Sequence, residues 1–341
     1  MKRLLSVYVL VVSVLALVSC ERRPLLDPDG NTYVKVHLNT DSINNVTCNI
    51  YNENISRPVI TSDMFRVFLY DKTGSPLLTQ KFLPEKSVDE RGFETLSGPI
   101  YVSQGLYGLL AYNFDVDATH IGNEGSIHTV KAYTDEIPLS LYSRFGSRAD
   151  GFGKVYYQPE HVMVATRPEL RIGAHHDDVT IEMDAHTVIQ SYYIQIRITG
   201  YESLASNAAP QAVLSGLSNS VLLNDGTPAQ EPASVYFELQ RGRVAKSFDS
   251  PQMVLCAVFN TFGRIDDTPS ELLVTFSALT RDGKIHQKTV DMAPVFETED
   301  ARLRNWLLID EVWELPENVD EGGGFGPMVS DWEDIEEIIP I

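Results

Sequence analysis

Hydrophobic and polar positions alternate with a period of two along most of this chain. Val34, Val36 and Leu38 fall on one side of a predicted first strand, with Lys35 and His37 on the other, the signature of a half-buried strand. The run from Met64 to Tyr70, the turn residues Asp71 to Pro76 and the run from Leu77 to Phe82 predict a hairpin. Further short strands are predicted at Pro99 to Val102 and Leu106 to Phe114, punctuated by Gly98, Pro99, Gln104 and Gly105. Residues 115–160 lack the alternation and carry glycine-rich, polar patches. They read as a long loop or insertion with room for a short helix. The alternation resumes at Val179 to His186, where a second β-rich unit starts. It continues through Tyr192 to Thr199, Val235 to Leu239, Met253 to Phe259, Leu272 to Leu279 and, past the turn Arg281 to Lys284, Ile285 to Val290. Gln211 to Val221 fits either a short helix or a strand, and Leu307 to Leu315 is the last strand. No amphipathic helix of about 12 residues or more is visible, so the predicted fold class is all-β. Two tandem antiparallel β-sandwich domains, at 32–170 and 171–318, account for the length.

The ends differ from this body. Lys2 and Arg3 precede an apolar run from Leu4 to Val18, too short for a comfortable membrane span, which predicts a signal peptide over 1–19. The run closes on Leu17-Val18-Ser19-Cys20, a pattern resembling the bacterial lipobox, so Cys20 is the predicted lipidation site and 20–31 a lipidated tether. At the other end, after Arg304, no basic residue remains while 11 acidic ones follow. Gly322 to Pro327 form a leash before a tail, 319–341, that carries Trp332, Ile335, Ile338, Ile339 and Ile341 among acids. An apolar set on a glycine leash is suited to docking in a groove, either on its own sheet or on another molecule.

Composition narrows the partners. With 27 basic and 47 acidic residues the chain carries −20, which argues against nucleic acid or an anionic membrane surface. Besides Cys20 there are only Cys48 and Cys256, assigned to different units and read as small buried hydrophobes. Signatures of catalysis are missing: no G-x-S-x-G elbow, H-E-x-x-H, phosphate loop or dinucleotide fingerprint is present. An extracellular hydrolase working through a carboxylate pair stays open, because such pairs leave no local signature. The one cluster of metal-binding type is His175-His176-Asp177-Asp178 with Glu182, Asp184 and His186. The last three share a strand face, but the same alternation marks any solvated face, and no cofactor or metal is predicted. Asp27 to Asn31 imitates part of a calcium loop without its later glutamate and reads as a turn in the tether.

The lipobox cysteine followed by Glu21-Arg22-Arg23-Pro24-Leu25, the two β units and the Trp-bearing tail resemble fimbrillin-like lipoproteins of Bacteroides-type bacteria, subunits and accessory proteins of type V pili. Phe65 to Asp71, Ile100-Tyr101-Val102 and Tyr107 to Asp115 carry the likeness in the first unit. Tyr193 to Gly200 and Val213 to Leu217 carry it in the second. The resemblance implies two transthyretin-like sandwiches, export to the outer membrane, and assembly with other pilus subunits by strand exchange. A protease that cuts after arginine would remove a first strand in shaft subunits. Here Arg23 and Arg57 are each followed by proline and Arg66 lies within a strand, which points to an uncleaved anchor or accessory subunit. Val34, Val36 and Leu38 then form the first strand, and Trp332 to Ile341 the candidate donor. The competing reading is a surface lipoprotein that binds a glycan or host protein and never polymerises.

Overall fold

A computed structural model describes residues 32–317, apart from 44–45, 47–61, 63, 114–116, 144–151, 175–176, 245–251 and 266–271. The predicted signal peptide, Cys20, the tether, Cys48, His175, His176 and the tail from 318 lie outside the described residues.

The strands of the N-terminal body are β1 (Thr32–Leu38), β2 (Phe65–Tyr70), β3 (Leu77–Phe82), β4 (Glu85–Val88), β5 (Glu94–Ile100), β6 (Gly105–Asn113), β7 (Thr119–Gly122), β8 (Lys131–Thr134), β9 (Val155–Tyr156), β10 (Met163–Ile172) and β11 (Val179–Thr187), with a short helix α1 (Leu139–Tyr142) before β9. Then come β12 (Gln190–Thr199), β13 (Gln211–Ser218), β14 (Ser220–Leu222), β15 (Pro232–Glu238), β16 (Gln240–Val244), β17 (Gln252–Thr261), β18 (Leu273–Leu279), β19 (Ile285–Asp291), the helices α2 (Ala293–Phe296) and α3 (Glu299–Arg304), and β20 (Trp306–Glu314).

Eight strands form one sheet in the order β3-β2-β6-β10-β11-β1-β5-β4. β10 and β11 share only the pairs Met163 with Thr187 and Val164 with His186, and there the sheet folds back on itself. Its two halves enclose a core of Val34, Val36, Leu38, Leu69, Leu96, Leu109, Met163 and Met183. The predicted hairpin is β2 and β3, nucleated by Asp71, whose carboxylate accepts from the backbone N–H groups of Thr73 at 2.9 Å and Ser75 at 3.0 Å. From β3 the chain passes through buried Leu83 into β4, so one continuous stretch edges both halves of the sheet.

The second core lies between the four-stranded sheet β16-β17-β12-β20 and the five-stranded sheet β19-β18-β13-β15-β9. Ile194, Ile196, Leu214, Phe237, Phe259, Phe276 and Leu307 fill it, with the Phe237 and Phe259 rings stacked at 4.4 Å. The predicted turn before Ile285 is present, the Thr280 hydroxyl donating to Asp282. The open choice at Gln211 to Val221 resolves as β13 and β14.

Three features depart from the sequence reading. The strand assigned to the start of the second unit, β11, pairs in parallel with β1 and belongs to the first sheet. The chain therefore passes between bodies after Thr187, not near 170. Residues 115–160 hold β7, β8, α1 and β9, and β8 pairs with β14 from the C-terminal body. A third core of Phe68, Tyr70, Tyr112, Val130, Val221 and Phe262 fills the seam between the bodies. Finally, three pairings among the described residues are parallel: β1 with β11, β12 with β20, and β15 with β9.

Candidate strand-exchange site and charged groove

β1 lies inside its sheet, parallel to β11 and antiparallel to β5. Val34 faces Ile181 and Gly98 across the two ladders, Val36 faces Met183 and Leu96, and Leu38 faces Ala185. All three candidates are fully buried, each contributing about 1.5–3 kcal/mol of apolar burial. Lifting β1 out would open a slot between β11 and β5 with a row of unpaired backbone groups on each wall. Beyond Leu38, the Asn39 N–H donates to Ala185 O at 3.0 Å, and Ile43 returns to the core.

The other face of β1 forms the floor of a charged groove of about 760 Å³, lined by Lys35, His37, Asp89, Arg91, Thr166 and Asp184 among others. Arg91, in the turn joining β4 to β5, donates to Asp184 at 2.7 Å and through Nε to Asp89 at 3.0 Å. His37 Nδ1 lies 2.9 Å from Asp89 and Lys35 Nζ 3.4 Å from Glu182. Burial alone would push the Asp89 carboxyl up. Hydrogen bonds from the Phe93 backbone N–H and from the side chains of Arg91 and His37 outweigh it and bring the group down to about 2. The Arg91 guanidinium likewise holds Asp184 below the usual carboxylate range. Glu182, Asp184 and His186 do share a strand face, but the two carboxylates are matched to Lys35 and Arg91. Among the described residues no group of three or more His, Cys, Asp or Glu side chains is arranged to hold a metal ion. The groove presents ion pairs and hydrogen-bonding groups to a ligand and aligns no nucleophile with a base.

Sequence reasoning missed a polar knot where the bodies meet. His161 Nδ1 lies 2.8 Å from Thr187 Oγ1 and its Nε2 lies 3.2 Å from Ser191 Oγ. Ser191 donates to Asn260 Oδ1 at 2.7 Å, and the Asn260 amide donates to Pro159 O at 3.0 Å. Asn305 donates to Ser191 O. Burial pushes the His161 ring down to about 4, so it is neutral near pH 7. The nearest sequence signal is Asn260 closing the apolar run of β17, a polar group that a sheet end must satisfy.

Comparison with known proteins adds the following. A family model described as "Domain of unknown function (DUF5119)" matches residues 53–238. A Bacteroides ovatus protein named "Putative fimbrium anchoring subunit Fim4B" is 23% identical over 95% of this chain and 94% of its own length. The crystal structure of a "putative adhesin" from Bacteroides ovatus superposes with a TM-score of 0.56 at 18% identity, covering 88% of this chain and 98% of that one. The fimbrial anchor protein Mfa2 from Porphyromonas gingivalis gives 0.46 at 18% identity, covering 82% and 87%. The adhesin likeness shows a shared fold.

Proposed function

The chain belongs to the family described as "Domain of unknown function (DUF5119)", whose model spans more than half of its length, and on that premise we propose that it is an anchoring or accessory subunit of a fimbrium at the bacterial cell surface. The observation that carries this reading is the end-to-end similarity to the Bacteroides ovatus fimbrium anchoring subunit. Lipid on Cys20 holds the protein to the outer membrane. Each buried methylene is worth about 0.8 kcal/mol, one chain is marginal, and two or more anchor stably. The protein acts through surfaces and not as an enzyme. Its contact with other pilus subunits is strand addition, with Trp332, Ile335, Ile338, Ile339 and Ile341 as the donor candidates. The complete burial of Val34, Val36 and Leu38 supports a first strand that stays in place, as suits an anchor.

The test is genetic and biochemical. Cells lacking the gene should release fimbriae into the medium, and complementation with the wild-type chain should return them to the cell. Complementation with Cys20→Ser should not, and labelled palmitate should enter only the wild-type product. Fimbriae that stay attached to cells lacking the gene would refute the assignment. A second reading, binding of a host protein or glycan without polymerisation, draws on the charged groove. Arg91→Ala abolishing glycan binding while fimbriae remain attached would favour it.

A further inference from the structure

β10 and β11 separate just past the pairs Met163 with Thr187 and Val164 with His186, and a cleft opens where they part. Glu182, Asp184 and His186 form its floor on the outward face of β11, since Ile181, Met183 and Ala185 are buried in the first core. At one end it is the charged groove of Lys35, His37 and Arg91. At the other it becomes a pocket of about 400 Å³ walled by Val164, Val188, Ile189 and Leu223. Thr166 lines both parts, so the two are one cleft. The N-terminal body supplies β10 and β11, and the C-terminal body closes the pocket with Asn224, Asp225 and Gly226 in the turn after β14. From Glu182 to Thr187 the floor runs roughly 17 Å, at about 3.3 Å per residue.

Thr166 Oγ1 and Asn224 Oδ1, both buried in this lining, have no hydrogen-bond partner among the described residues. Buried polar atoms are nearly always paired, so each orphan marks a contact that something else completes. The charges facing the cleft are already matched, Lys35 with Glu182 and Arg91 with Asp89 and Asp184. Arg167 is engaged as well, donating to the Glu182 carbonyl at 2.8 Å. What stays open is a hydroxyl and an amide oxygen, both neutral. Asn224 Oδ1 needs a donor, which a carboxylate or an ionised phosphate lacks. Apolar walls with a few convergent polar groups suit a ligand that presents C–H faces and hydroxyls together. We propose that the cleft binds a neutral oligosaccharide, which lies along β11, gives hydroxyls to Thr166 and Asn224, and bridges the two bodies. Rotation about χ1 of Thr166 and χ2 of Asn224 turns each orphan atom to the ligand. The site deepens the glycan reading of the charged groove and rests on it, while the assignment to a fimbrium stands apart.

The test uses the full chain carrying Cys20→Ser, titrated calorimetrically with neutral linear hexasaccharides of glucose, mannose, galactose and xylose and with an acidic oligogalacturonate of equal length. A neutral hexasaccharide should bind with a Kd of about 1 mM or tighter, and the oligogalacturonate more weakly. Thr166→Val and Asn224→Leu should each weaken that binding by about tenfold. The urea midpoint of the free protein should stay level or rise, because each change removes a polar atom that has no partner. Thr166→Ser, which keeps the hydroxyl, should retain binding. Binding that Arg91→Ala weakens but Thr166→Val and Asn224→Leu leave alone would keep the glycan reading of the groove and overturn the junction site. Lowered urea midpoints with unchanged binding, the mark of an ordered water only, would do the same. Preference for the oligogalacturonate would overturn the neutral ligand and spare the groove, whereas no binding by any of the probes would overturn both.

Discussion

Gly200 shows how much one residue can decide. It ends β12 with φ at +66°, and a Cβ built there would lie 2.3 Å from the carbonyl oxygen of Leu315. Gly200→Ala combines a left-handed backbone penalty with a backbone clash that no rotamer relieves. It should cost about 2–4 kcal/mol, read as a lower urea midpoint with an unchanged slope. Gly283→Ala is the control: φ is +80° but nothing lies within 4 Å, so only about 1–2 kcal/mol should be lost. His161 sets a different dependence. Its pKa of about 4 in the folded chain is below the usual value near 6.5, so the unfolded chain binds the extra proton first. This contribution is complete above pH 6.5 and is lost as the pH falls from 6.5 to 4, by up to ~3 kcal/mol. His161→Gln should flatten the stability profile in that window, and an unchanged profile would remove the histidine from the account.

At the scale of elements, β1 is the strand whose loss the fold would feel most directly. Val36→Asp would place an uncompensated charge between Met183 and Leu96 and should cost about 4 kcal/mol or more by chemical denaturation. A chain lacking residues 32–38 should bind a synthetic peptide of that sequence and regain its near-ultraviolet dichroism. Failure of the peptide to bind would argue against a slot that accepts a strand. The alternation of Val34, Val36 and Leu38 made this strand legible, as it did the β2–β3 hairpin, because a period of two directly records which side chains are buried. Partners are not recorded in that way. Nothing within Val179 to Thr187 states that the strand sits beside β1, 147 residues earlier in the Lys35–Glu182 pair, so its alternation alone places it with the strands that follow it in sequence. β7 and β8 are four residues each, too short to establish a period. The charged groove is half legible in the sequence: the alternation puts Glu182 and Asp184 on one face of a strand. Their matching cation Arg91 sits in a turn and reaches Asp184 across 93 positions of sequence.

The whole molecule depends on how its two sandwiches meet. Besides the apolar seam, the knot of His161, Thr187, Ser191 and Asn260 ties the start of β10 and the end of β11 to the start of β12 and the end of β17. Asn260→Ala leaves the Ser191 hydroxyl and the Pro159 carbonyl without that partner in a buried place. It should cost about 2 kcal/mol and split one calorimetric transition into two. A single transition at an unshifted midpoint would mean that the apolar seam alone couples the bodies.

The parallel pairings carry a last consequence. Thr32 lies beside Val179 at the outer end of β11, β11 runs to the junction, β12 continues from it, and Glu314 lies beside Thr199 at the end of β12. The chain thus enters β1 beside the end of β11 that is remote from the junction, and leaves β20 beside the end of β12 that is remote from it, so neither entry nor exit crowds the crossing where the two bodies are knotted together.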